Sequence, residues 1–103
     1  MIKKANAKIN WIPYKKGGRQ NLPSGKRYST VAKFKDIESK WPNEAWSIVA
    51  EFIKTDKESF YSIVEIKFLA EEDAPQYLLY PGSKFELFEG RKLVAYGEVL
   101  PTE

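Results

Sequence analysis

Apolar and polar residues alternate with a period of two in six separate stretches, the pattern of half-buried β-strands. Over 7–14, Ile9 and Trp11 fall on one side and Lys8 and Asn10 on the other, with Pro13 marking a strand end or an edge. Over 28–34, Tyr28, Thr30, Ala32 and Phe34 oppose Ser29, Val31 and Lys33. Over 45–53, Trp46, Ile48, Ala50 and Phe52 share a face, and over 60–69 Val64, Ile66 and Phe68 oppose Glu65 and Lys67. Two further runs, 84–88 and 93–100, flank Glu89-Gly90-Arg91-Lys92, a short connection that predicts a β-hairpin. Leu93, Ala95, Gly97 and Val99 share one face of the last strand, and Gly97 leaves room there for a bend or a close backbone approach.

The segments between these runs read as turns and loops. Residues 15–27 hold glycines, a proline and polar side chains. Residues 36–44 read as a loop in which Pro42 biases Trp41 towards an extended conformation. Around Pro75 there is room for about one helical turn, because the proline limits anything longer. Six short strands with almost no helix predict a barrel or a sandwich. Closing the sheet would remove the exposed edges that endanger a small all-β chain.

Length sets one domain: 103 residues bury one core, so residues 1–103 form a single unit. The chain has no Cys and no His. Disulfides, Cys/His zinc sites, Cys nucleophiles and His bases are therefore excluded, and with them the Ser-His-Asp and Cys-His routes to acyl transfer. Carboxylate sites for Mg²⁺ or Ca²⁺ stay open. Glu71-Glu72-Asp73 is a carboxylate cluster without the Asp-x-Asp-x-Asp-Gly pattern of a calcium loop, so it reads as a solvated acidic loop, with an acidic docking point for a basic partner as the alternative. The start of the chain is too polar for a secretory signal, and no apolar run approaches the ~20 residues of a membrane helix. A cytoplasmic protein with no membrane role is the expectation.

Charge is unevenly spread. Residues 1–40 hold 11 Lys/Arg and 2 Asp/Glu, a net of +9, whereas residues 41–103 hold 6 and 12, a net of −6. Such asymmetry marks a face for a polyanion, or two halves that neutralise each other across one barrel. The cations concentrate in Lys15, Lys16, Arg19, Lys26 and Arg27, around Gly17-Gly18. Lys and Arg neutralise phosphates, and glycines let backbone N–H groups approach an anion. Tyr14 and Tyr28 flank the loop and are placed to stack on an unpaired base. A solvated loop whose glycines only satisfy turn geometry is the competing reading. Trp11 and Trp46 read as core; Trp41, in a polar loop, reads as an exposed contact residue or as a plug at one end of the barrel. Arg91-Lys92 joins the basic surface if the hairpin tip lies beside the first loop.

Two segments carry a family resemblance. Gly17-Gly18-Arg19, Pro23 and Tyr28 followed by Phe34 match a strand, Gly-Gly-Arg loop and Tyr-containing strand. Pro81-Gly82, Phe85, Leu87, Gly90, Arg91, Val94, Gly97 and Val99 match a Pro-Gly turn and a closing hairpin that ends Gly-x-Val. In order and spacing the chain resembles the C-terminal β-barrel domain of translation elongation factor Tu. That resemblance implies a six-stranded antiparallel Greek-key barrel standing alone. It also implies RNA of the translation apparatus, or a translation-related protein, as partner. After Gly-Gly-Arg the family continues with His and an apolar stretch, where this chain has Gln20-Asn21-Leu22. No Gly-x-x-x-x-Gly-Lys-[Ser/Thr] loop is present, so neither nucleotide binding nor GTP hydrolysis is expected. The expected function is a non-catalytic module without cofactor or metal that binds structured RNA or a translation-related partner. The basic loop would make the contact, through Lys15, Lys16, Arg19, Lys26, Arg27 and Tyr28, with Trp41 as a further contact residue. The alternative is a protein–protein adaptor or inhibitor that uses the barrel as a scaffold.

Overall fold

Alternation of small and large apolar residues builds the first strand. In the computed structural model, which describes residues 3–23, 25–43, 45–70 and 72–101, β1 (Ala5–Trp11) buries Ala5, Ala7, Ile9 and Trp11 and exposes Asn6 and Asn10. Five strands follow: β2 (Arg27–Phe34), β3 (Trp46–Asp56), β4 (Tyr61–Phe68), β5 (Lys84–Glu89) and β6 (Lys92–Val99). They close into a barrel in the order β1-β4-β3-β2-β5-β6, with every pairing antiparallel. β2, β3 and β4 are successive hairpin partners and β1 returns beside β4, which is a Greek key. The predicted all-β, six-stranded antiparallel barrel is therefore present, and each strand has a neighbouring strand on both sides.

Closure gives the barrel two poles. The β1–β2 loop, the β3–β4 turn and the β5–β6 turn leave from one, called here the upper pole. The β2–β3 and β4–β5 connections leave from the other, where β1 also begins and β6 ends; there Leu100 N–H donates to the Asn6 carbonyl at 2.8 Å. Aromatic rings fill the lower half. Phe34 lies 5.5 Å from Phe68 and 5.3 Å from Phe85, centroid to centroid, and the buried pair Leu78-Leu79 adds to this core from the connection after β4. The upper half is closed by Trp11, whose ring meets the edge of Tyr28 at 5.3 Å. Its indole N–H donates to Ser62 Oγ at 3.0 Å, and Ser62 bonds Thr55 at 2.9 Å, so the polar atoms of this plug are satisfied.

Several boundaries differ from the alternation. β1 stops at Trp11: Ile12 N–H still donates to the Val94 carbonyl in register with β6, but Pro13 has no N–H to give and leads into a 3₁₀ turn at Tyr14–Lys16. β3 extends to Asp56, because its pairing shifts between Phe52 and Lys54 and the bulge at Ile53 re-phases the strand. A second register shift, between Leu87 and Phe88, leaves Val94 buried beside Ala95 and adds it to the inward face of β6. The 36–44 segment is not irregular throughout: Lys35–Lys40 forms 3₁₀ helix that lies against β2 and β5. Close approach explains Gly97, since a Cβ there would sit 2.2 Å from the Phe85 ring.

Candidate cationic surface at the upper pole

Local backbone bonding shapes the long loop after β1. Lys16 N–H and Gly18 N–H donate to the Pro13 carbonyl, Gly17 N–H to Tyr14 and Arg19 N–H to Ile12. Gly17 takes the left-handed φ of +93° that ends the 3₁₀ turn. Gly18 is required by space: a Cβ would fall 1.6 Å from the Ile12 carbonyl oxygen. Both glycine amides are thus committed to carbonyls inside the loop. The expectation that they cradle an anion is corrected; they serve turn geometry.

Arg19 then ties this loop to the far end of the sequence. Its Nε donates to the Asn21 carbonyl at 2.9 Å, and its guanidinium pairs with Glu89 at the end of β5. The Tyr28 hydroxyl donates to the same Glu89 carboxylate, and the Arg19 guanidinium lies 5.7 Å from the Tyr28 ring centroid. Burial, reinforced by the hydrogen bond to Glu89, pushes the Tyr28 phenol far above its ordinary value. Arg19 and Tyr28 are therefore joints of the barrel, one charge-matched to Glu89 and the other packed on Trp11. Arg27 is partly matched as well, 3.4 Å from Glu51 on the neighbouring strand.

Six other cations gather at this pole. Lys15, Lys16 and Lys26 are exposed on the first loop, Lys57 on the β3–β4 turn, Arg91 on the β5–β6 turn and Lys92 at the start of β6. Among the described residues none of these six side chains is paired with a carboxylate. Lys92 Nζ lies 5.9 Å from the Tyr14 ring, so the hairpin tip does sit beside the first loop. The acids of this pole have internal roles. Glu89 holds Arg19 and Tyr28, and Asp56 Oδ1 accepts the N–H groups of Glu58 and Ser59 at 2.9 and 3.0 Å. Among the described residues Glu58 is the one exposed acid left on its loops.

Closure of the barrel unites Lys15, Lys16 and Lys26 with Lys57, which the strand pattern alone did not single out. Trp41 stands apart. Its ring stacks on Phe88 at 5.0 Å on the outer wall, with Lys33 Nζ 6.0 Å from its centroid. It plugs neither end of the barrel, because its ring lies against Phe88 on the side of the sheet. Trp46 is half-buried with its edge on Phe68. Glu71 lies outside the described residues; Glu72 and Asp73 are exposed, and no metal-binding group of three is found among the described residues. A groove of about 490 Å³ runs beside the Lys35–Lys40 segment, but Lys33, Lys84, Glu86 and Glu98 line it with cancelling signs. Among the described residues no helix is long and apolar enough to cross a membrane.

The molecule is thus a small closed β-barrel with one cationic pole. Comparison with protein-family models, with curated proteins and with solved structures finds no match for this chain.

Proposed function

We propose that this barrel is a non-catalytic module, of the kind found at the C-terminus of elongation factor Tu, that binds RNA through its upper pole. One observation carries the reading: three loops distant in sequence bring Lys15, Lys16, Lys26, Lys57, Arg91 and Lys92 to one end, with no carboxylate partner among the described residues. Phosphates are the ligands that such an array attracts most strongly. The likeness of the Gly17-Gly18-Arg19 loop and the closing hairpin to the elongation-factor barrel directs the choice among polyanions to RNA. Arg19 and Tyr28 act by holding the two ends of this surface together, and the lysines make the contact.

Titration of the protein with transfer RNA at low and moderate salt tests this. The log of the affinity should fall linearly with the log of the salt concentration, by about 0.7 to 0.9 per phosphate neutralised. Replacing Lys15, Lys16 and Lys26 together by Gln should weaken binding and flatten that slope by about 2 to 3. Undetectable binding at low salt would remove the RNA reading, and recovery of a protein partner stable to nuclease and high salt would favour the adaptor reading.

A further inference from the structure

A second cavity opens at the cationic pole, between the first loop and the β3–β4 turn. It has a volume of about 280 Å³ and is lined by Gln20, Asn21, Leu22, Lys57 and Phe60. Leu22 and Phe60 are half-buried and pack against the core, so they form an apolar floor. Gln20, Asn21 and Lys57 are exposed and form the rim.

The floor is held in an unusual way. Phe60 has a φ of +58°, and it is the one non-glycine with positive φ among the described residues. A bulky residue in that region is disfavoured and persists only where its surroundings enforce it. Here the Phe60 carbonyl accepts the Trp11 N–H at 2.9 Å, and Asp56 caps the turn. The rim is chemically open. Among the described residues the side-chain amides of Gln20 and Asn21 make no hydrogen bond; only the Asn21 backbone carbonyl is engaged, by Arg19. Each amide offers a donor and an acceptor side by side, the pattern that reads a base edge bidentately.

From this arrangement we infer that the cavity receives one unpaired nucleobase of an RNA strand. The base lies on Phe60, its edge meets Gln20 and Asn21, and its phosphate meets Lys57. The size suits one ring system, because the cavity lies at the small end of ligand pockets. The inference rests on the RNA reading above and adds to it a preference for loops, bulges and ends over duplex, since only an unstacked base can enter.

Fluorescence anisotropy with three probes of equal length separates the two claims: a single-stranded RNA, the same strand with abasic sites, and a duplex. All three carry the phosphates; only the first carries accessible bases. The single strand should bind roughly fivefold or more tightly than the abasic strand, the range of base–aromatic stacking. In Phe60→Gly, which keeps the positive φ without strain, that difference should vanish while the salt slope persists. Should Phe60→Gly fail to fold, the double variant Gln20→Ala/Asn21→Ala replaces it, with the same expected loss of discrimination. Equal affinity for the base-bearing and abasic strands would overturn the nucleobase site and leave the cationic surface standing. Absence of binding to any probe at low salt would overturn both.

Discussion

Glu89 does three things with one carboxylate: it pairs with Arg19, accepts from Tyr28 and removes one positive charge from the upper pole. Its replacement by Ala should therefore move two properties in opposite directions. Stability should fall by about 1 kcal/mol, near the low end for a broken charge-assisted contact because water reaches this site. Affinity for RNA should rise, since Arg19 is released and a negative charge is lost. Urea unfolding and anisotropy on the same sample check both. Tyr28 makes a separate prediction through pH. Its folded phenol holds its proton above the ordinary value of 10.0, so its contribution is complete below pH 10 and declines as pH rises beyond it. The wild type should lose stability between pH 10 and 11 more steeply than Tyr28→Phe, measured by denaturant melts at each pH.

At the scale of elements, the two adjacent glycines of the first loop separate strain from collision. Gly17→Ala meets open space and faces only the left-handed φ, a cost of about 1 to 2 kcal/mol. Gly18→Ala collides with the Ile12 backbone and should cost at least as much as an overpacked core, about 1 to 3 kcal/mol. Thermal unfolding of the two variants checks the order. Trp41→Ala should destabilise by about 0.5 to 1.5 kcal/mol beyond its lost buried area, through the stack on Phe88, and the same melts measure it. The six strands were legible because each one-sided run, such as Ile9 and Trp11 in β1, needs only local pattern. The bulges at Ile53 and Val94 were not, because one inserted residue leaves the composition of a strand unchanged and alters only its phase. The cationic loop was legible by its residue types. The engagement of Arg19 was not, since Glu89 stands 70 positions away and reads locally as part of a turn.

For the molecule as a whole, charge follows topology rather than sequence halves. The basic first 40 residues contribute to both poles, as Lys35 lies at the lower pole and Lys15 at the upper. Lys57 and Lys92 come from the acidic remainder of the chain yet belong to the upper surface. Replacing Lys57 and Lys92 by Gln should flatten the salt dependence of RNA binding by about 1.4 to 1.8. Replacing Lys35 and Lys84, at the lower pole, should leave it unchanged. Salt-series titrations of the two double variants provide the comparison. The place where the strands begin and finish has a practical corollary. Because β1 starts and β6 stops at the lower pole, a linker joined before β1 at Lys3 or after β6 at Pro101 is attached at the end opposite the lysines. Immobilised that way, the barrel stands upright with its cationic pole towards solution, and its affinity should be the same whichever of the two positions serves as the anchor.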